Sequence, residues 1–198
     1  MTLNSSTPRS SASNSAAHSS RALKAAAANI RRSAQDPLAI YLNDHLAGAT
    51  GGLELARRMA GAGQIPSPAA ELRQFAEEVA EDRDMLLRVM GTLGIAVRSY
   101  KVWAGWAGEK AGRLKPNGRL TARSPLSNLE ELELMRLGVE GKAAGWRTLR
   151  ALADRDSRLD AAGLDELILR ARRQADFLEE SRIRAAQQVI DAADAGHG

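Results

Sequence analysis

Apolar side chains recur at helical spacing in four long segments of the chain. Positions three and four residues apart fall on one face of a helix, so the pattern predicts helices over about 37–60, 68–93, 125–153 and 160–192. In the first segment the apolar stripe consists of Leu42, Leu46, Ala49, Leu53, Ala56 and Ala60. Four long helices are the elements of a helical bundle, so we expect an all-α fold.

Capping residues mark the ends of these segments. Asp36-Pro37, Ser67-Pro68 and Ser124-Pro125 each place a side chain that can cap a helix before a proline suited to its first position. A fourth helix is predicted to begin near Asp160, and glycines such as Gly94 follow the predicted ends.

The lengths of the connections predict the topology. The first and third links are short and suit antiparallel neighbours, whereas residues 94–124 form a link long enough to travel the length of a bundle. The order hairpin, long crossover, hairpin is typical of ferritin-like four-helix bundles. We expect that bundle over residues 36–193, with a flexible end at 194–198.

Glycines recur inside two of the predicted helices. Each glycine destabilises a helix interior by up to about 1 kcal/mol relative to alanine. Their helical spacing predicts close approach of neighbouring helix backbones; the alternative is a glycine-rich sequence with weak helices. The glycines are Gly48, Gly51, Gly52, Gly138, Gly141 and Gly145.

Several runs resemble a family of uncharacterised, mostly actinobacterial proteins. The runs begin at Tyr41 (YLNDHLAGAT), Arg113 (RLKPNGRL), Ser124 (SPLS) and Gly138 (GVEGK, followed by Trp146). The resemblance covers about residues 36–190 and implies a ferritin-like helical bundle. It implies no particular activity.

Composition excludes several chemistries. The chain has no cysteine, which excludes disulfides, thiolate metal sites and cysteine nucleophiles. Only His45 of the three histidines falls within the predicted bundle, and no Glu-x-x-His motif occurs, so we expect no di-iron centre, no other metal and no cofactor. No window approaches about 18 consecutive apolar residues, so no transmembrane segment is predicted.

The net charge of +4 is carried by the first 36 residues, which hold five bases and one acid. Eight of the first twenty residues are serine. A segment this polar cannot bury enough apolar surface to fold alone, so residues 1–35 are predicted to be a disordered basic tail. The alternatives are an arm for nucleic acid or anionic lipid and an organelle presequence.

Charged residues interrupt the predicted apolar stripes and form a candidate internal site. A charge in a dry core needs a partner, so we expect these groups to meet in a polar layer. That layer is either a binding site or a network of structural ion pairs. The alternative is that these residues lie at the edges of the apolar stripes and reach water. The candidates are Asp44, His45, Asp82, Arg83 and Glu133.

The long crossover mixes bases with aromatic residues. Residues 97–123 hold seven bases against one acid. Such a mixture suits weak contact with phosphates or a lipid surface, or else a connector that its tryptophans anchor to the bundle. The candidates for a surface site are Arg98, Lys101, Trp103, Trp106, Arg113, Lys115 and Arg119.

These observations predict a non-enzymatic, cytoplasmic binding protein of unidentified ligand. Its expected partners are another protein, a second copy of the chain, or an anionic surface contacted through the basic segments. The alternative is an atypical ferritin-like protein that binds metal through carboxylates and His45.

Overall fold

The computed structural model describes residues 36–98 and 124–195. Four helices account for nearly all of them: α1 (Pro37–Ala62), α2 (Ala69–Leu93), α3 (Pro125–Ala153) and α4 (Ala161–Ala195). No strand occurs within these two ranges. The all-α class and the four predicted helices are therefore confirmed. The largest difference is at the end of α4, which continues beyond the predicted residue 192 to Ala195.

The chain divides into a unit that ends at Ile40 and a unit that begins at Tyr41. In the first unit the described residues form a capped helix start. The Asp36 carboxylate accepts a hydrogen bond from the Leu38 N–H at 3.0 Å, and the Asp36 carbonyl accepts one from the Ile40 N–H at 3.0 Å. The predicted cap at Asp36 is confirmed. All further description concerns the second unit.

Helix ends in the second unit follow the capping residues closely. The Ser124 hydroxyl accepts a hydrogen bond from the Ser127 N–H at 3.2 Å, as expected of a cap before Pro125. Gly94 ends α2 with a φ of 71°, a left-handed conformation that suits glycine. Both ends agree with the prediction.

Ser67 is the exception, and its predicted role as a cap is wrong. Pro68 is the residue that precedes the first turn of α2, and no side chain caps that turn. The Ser67 hydroxyl instead donates to the buried Ser181 hydroxyl at 2.6 Å. Arg184 donates to the Pro66 carbonyl at 2.6 Å, so two contacts fasten the α1–α2 loop to α4.

Side-chain contacts between helices define their directions. Tyr41 contacts Thr148 through their hydroxyls at 3.2 Å, and Arg58 donates to Glu131 at 3.3 Å. Later residues of α1 therefore meet earlier residues of α3, and the two helices are antiparallel. Thr50 of α1 accepts a hydrogen bond from Arg83 of α2, and Asn43 donates to Ala96 just after α2, so α1 is also antiparallel to α2.

Helices α3 and α4 are antiparallel as well. Arg150 of α3 donates to Asp165 near the start of α4, and Arg136 pairs with Glu179 further along at 3.2 Å. Helices α2 and α3 consequently run in one direction, and α1 and α4 run in the other. The end of α2 and the start of α3 lie at opposite ends of the bundle.

All four helices contribute to one apolar core. Its members include Met59 of α1, Val79 of α2, Leu132 of α3 and Leu178 of α4. Leu42 and Met90 are also fully buried. None of the helices in the described ranges combines the length and the apolar character needed to cross a bilayer.

Candidate ligand-binding cavity

A cavity of about 400 Å³ opens between α1, α2 and α3. We call it the glycine-lined cavity, because five glycines of α1 and α3 line it: Gly48, Gly52, Gly138, Gly141 and Gly145. Its remaining surface is mostly apolar and includes Leu42, Val79, Leu86, Met135, Val139 and Leu149. Cavities of about 300–1,000 Å³ with few polar groups are typical of small-molecule sites.

The glycines leave space open and do not bring helices together. A Cβ added at Gly48, Gly52, Gly138 or Gly141 would meet no described atom within 4 Å, and the same holds for Gly51. The predicted close approach of helix backbones is therefore wrong at these positions. Of these glycines, all but Gly51 line the cavity, and Gly48, Gly138 and Gly141 are exposed, so a side chain there would extend into space that is open to solvent.

Gly145 is different because the His45 ring occupies the adjacent space. The Cε1 and Nδ1 atoms of His45 lie 3.1 Å from the position of an added Cβ. Tyr41 packs edge-on against the same imidazole, with ring centroids 4.4 Å apart. Burial lowers the pKa of His45, and the charge of Asp44 opposes this shift only in part. His45 is therefore mainly neutral at pH 7.

Asp82 lines the cavity and is only 2% exposed. Its carboxylate accepts hydrogen bonds from the Lys142 ammonium at 2.5 Å and from Arg170 at 3.2 Å. The ion pairs join α2, α3 and α4 at one level of the bundle. A buried carboxylate is stable there only because cations and donors surround it.

Gln174 completes this cluster. Its side-chain oxygen accepts from Lys142 at 2.5 Å, and its amide donates to Glu78 at 2.9 Å. Burial lowers the pKa of Lys142, and the Asp82 carboxylate opposes the shift. Lys142 thus lines the cavity with an ammonium that protein oxygens already hold.

The expected polar layer is brought together only in part. Asp44, His45, Asp82 and Arg83 all line the cavity. Arg83, however, donates to Thr50 at 3.0 Å and pairs with Asp84 at 3.2 Å. The partners of Asp82 are on α3 and α4, so neither His45 nor Arg83 is bonded to it.

Glu133 lies outside the cavity, contrary to expectation. Its side chain is 51% exposed, and its carboxylate is 3.9 Å from Arg182. Leu132, the preceding residue, is fully buried. Successive residues point about 100° apart around a helix, so burial of Leu132 turns Glu133 toward solvent.

Trp146 contributes a buried polar atom without a partner. The residue is 3% exposed and lines the cavity, and its indole Nε1 has no hydrogen-bond acceptor among the residues described. A buried donor left unpaired costs about 1–3 kcal/mol of stability. In the sequence, Trp146 was part of a run that carries the family resemblance, and no pattern singled out its indole N–H.

Of the predicted basic and aromatic surface site, only Arg98 falls within the described residues. Its backbone N–H donates to the Asn43 side chain at 2.8 Å, and Asn43 in turn donates to the Ala96 carbonyl at 3.2 Å. Asn43 thereby fastens the segment after α2 to α1. The other members, Lys101, Trp103, Trp106, Arg113, Lys115 and Arg119, lie outside the described ranges.

Metal ligands do not cluster in the part of the chain that the structure covers. No three or more His, Asp or Glu side chains there are placed to hold a metal ion. Near the cavity, the carboxylate of Asp82 is surrounded by cations and amides, which suit an ion pair and not a metal centre.

No protein-family model, curated protein or solved structure matches this chain. The resemblance to an actinobacterial family stays a prediction.

Proposed function

We propose that this protein is a binding protein that takes up a small, mainly apolar molecule in the glycine-lined cavity. The observation that carries the proposal is an open cavity of about 400 Å³ with mostly apolar walls, with open space beside four of the glycines that line it. Alanine would fit at each position and would stabilise the helix by about 0.5–1 kcal/mol. Glycine there is unfavourable for the helix but preserves the volume of the cavity.

The lining supports the binding of an apolar ligand. Its apolar walls favour an apolar ligand, which gains free energy by leaving water. Two of the charged groups in its lining, Asp82 and Lys142, are bonded to one another. A general base or nucleophile needs a free position next to the reacting atom, and this pair is engaged in holding three helices together.

The uncharged dye 6-propionyl-2-(dimethylamino)naphthalene provides a direct test, because its emission moves to shorter wavelength in apolar surroundings. We expect saturable binding of one dye per chain. Gly138→Leu places a side chain in the cavity, and overpacking of about 1–3 kcal/mol corresponds to roughly 5- to 150-fold weaker binding. Gly51→Leu is the matched control, since Gly51 is exposed like Gly138 but does not line the cavity.

Equal dye affinity in the two leucine variants would contradict the proposal. A second arm tests whether residues 99–123 of the chain occupy the cavity themselves. Binding that appears only after Trp103→Ala and Trp106→Ala would assign the cavity to that segment and would also contradict the proposal.

We further propose that the four helices are connected as in ferritin-like bundles. The support is that α2 and α3 run in the same direction, so the link between Leu93 and Pro125 must return along the bundle. Helix α2 has 25 residues, or about 37 Å at 1.5 Å per residue. The link is long enough for that path.

From the sequence we also propose a cytoplasmic location and a binding partner that is either another protein or a second copy of the chain. We propose in addition that the basic segments make weak, salt-dependent contact with anionic surfaces. Metal binding through carboxylates and His45 has no cluster of ligands to support it in the described residues.

A further inference from the structure

The glycine-lined cavity is elongated along the helix axes. It is lined from Tyr41 to Gly52 on α1 and from Met135 to Leu149 on α3. Because α1 and α3 are antiparallel and Tyr41 lies beside Thr148, the two spans cover the same part of the bundle. At about 1.5 Å per residue, they are about 16 Å and about 21 Å long. The volume of about 400 Å³ spread over such a length gives a mean cross-section of about 19–25 Å².

An unbranched alkyl chain needs nearly the same cross-section. An apolar cavity of about 150 Å³ that holds benzene provides about 25 Å³ for each carbon. Carbon–carbon bonds of about 1.5 Å at angles near 111° advance an extended chain by about 1.25 Å per carbon. One chain therefore needs a cross-section of about 20 Å², and two parallel chains need about 40 Å². The cavity admits one chain along its length.

Length and volume independently indicate how long that chain is. The span of about 16 Å along α1 corresponds to about 13 carbons of an extended chain. The volume of about 400 Å³ corresponds to about 16 carbons at the packing of benzene in its cavity. Both values fall between about 12 and 16 carbons.

The bases of the lining already have partners in the protein, so the cavity has little means of selecting a ligand by charge. Lys142 donates to Asp82 at 2.5 Å. Arg83 donates to Thr50 at 3.0 Å and to Asp84 at 3.2 Å. A ligand that formed an ion pair with either base would have to displace one of these partners. Affinity therefore depends mainly on how much of the apolar wall a ligand covers.

We propose that the ligand is a molecule with one unbranched alkyl chain of about 12–16 carbons, which lies lengthwise between α1 and α3 in the glycine-lined cavity. The cavity is open to solvent beside the exposed glycines Gly48, Gly138 and Gly141, which leaves room for the polar end of such a molecule. The inference rests on the proposed function and adds the class of ligand.

A series of n-alkyl dimethylamine N-oxides tests the chain class, because all members share one head group without net charge near pH 8. Titration calorimetry of the full chain gives the Kd for even chains from eight to eighteen carbons, each kept below its critical micelle concentration. Each buried CH₂ group lowers the Kd by up to about fourfold. We expect the Kd to fall with each added carbon and to level off between about 12 and 16 carbons, where the chain has filled the cavity.

Gly52→Leu tests whether the chain lies along α1. Gly52 is at one end of the α1 span, and a Cβ there would meet no described atom within 4 Å. The four added carbons take the room of up to about four chain carbons, so we expect the Kd to level off at a chain about two to four carbons shorter. Gly51→Leu is the matched control, because the neighbouring Gly51 does not line the cavity and should leave the levelling-off point unchanged. The wild-type series decides the chain class even if Gly52→Leu does not fold.

Failure of the two proposals can be told apart, because the naphthalene dye reports on the cavity without an alkyl chain. The chain class is overturned if the Kd levels off at or below about ten carbons, or if it still falls at eighteen. An equal levelling-off point in folded Gly52→Leu and Gly51→Leu would also overturn it. If the dye binds the wild type and no N-oxide does, the chain class is overturned and the binding function stands. If neither the dye nor any N-oxide binds, both proposals are overturned.

Discussion

The imidazole of His45 lies against the backbone of Gly145, with two ring atoms 3.1 Å from the place where a Cβ would project. A side chain at position 145 and the present His45 rotamer therefore compete for the same space. The contact joins α1 to α3 and shapes the wall of the glycine-lined cavity.

Gly145→Ala tests this contact. Alanine in a helix interior is favoured over glycine by about 0.5–1 kcal/mol, but the His45 ring must move to admit the methyl group. We expect Gly145→Ala to stabilise the protein less than Gly138→Ala, whose Cβ meets open space. In a His45→Ala background the two alanines should stabilise equally. Equal effects with His45 present, measured by thermal unfolding, would contradict the described contact.

The pH dependence of stability reports on His45. Burial lowers its pKa in the folded state, so the unfolded chain binds the proton more readily. The stability that neutral His45 provides is complete above about pH 6.5, the unfolded pKa, and is lost as pH falls through the folded pKa.

We expect the Tm of the wild type to decrease relative to His45→Gln between pH 7 and pH 5. Both proteins keep His18 and His197, so the difference isolates position 45. A constant difference across this range would show that the pKa of His45 is the same in both states.

Asp82 should be the most sensitive charged position of the bundle. Asp82→Ala leaves the Lys142 ammonium buried without its carboxylate, and breaking such a pair typically costs about 3–5 kcal/mol. Glu133→Ala is the control, because the exposed Glu133 pair should contribute within about 1 kcal/mol. Urea unfolding of both variants gives the comparison, and equal small losses would contradict a buried ion pair.

A double-mutant cycle distinguishes the partners of Asp82. The contact with Lys142 predicts a coupling energy of about 0.5–3 kcal/mol between Asp82→Ala and Lys142→Ala. Arg83 bonds Thr50 and Asp84 instead, so Asp82→Ala and Arg83→Ala should be additive within about 0.5 kcal/mol. Coupling to Arg83 without coupling to Lys142 would contradict the described geometry.

Sequence patterns predicted the helices well because local chemistry determines their ends. Ser124 and Gly94 act as caps through contacts a few residues away. Ser67 has the same local sequence signal as Ser124, but its hydroxyl bonds Ser181, 114 residues further along the chain. No local pattern distinguishes the two serines.

The sequence predicted that charged residues would meet inside the bundle, but it did not predict which of them would bond to each other. The sequence indicated that Asp82 would be buried, yet its partners Lys142 and Arg170 belong to helices whose rotation depends on packing. Adjacent residues such as Asp82 and Arg83 point about 100° apart on a helix, which explains why they have separate partners.

The glycines show a different limit. A glycine in a helix can let a neighbouring backbone approach closely, or it can leave open space beside the helix. The sequence is the same in both cases, because each depends only on the absence of a side chain. Only the surroundings of Gly48 and Gly138 show that the space is open.

The most direct test of a ligand-binding cavity is thermal unfolding of Gly48→Ala/Gly138→Ala with and without the naphthalene dye. Filling open space in two helices should raise the Tm of the free protein by about 2–8 °C, while the added methyl groups reduce the further rise that saturating dye produces. Gly51→Ala should raise the Tm of the free protein and leave the dye-induced rise unchanged. A double variant that keeps the full dye-induced rise, or that is less stable than the wild type, would contradict the cavity as the binding site.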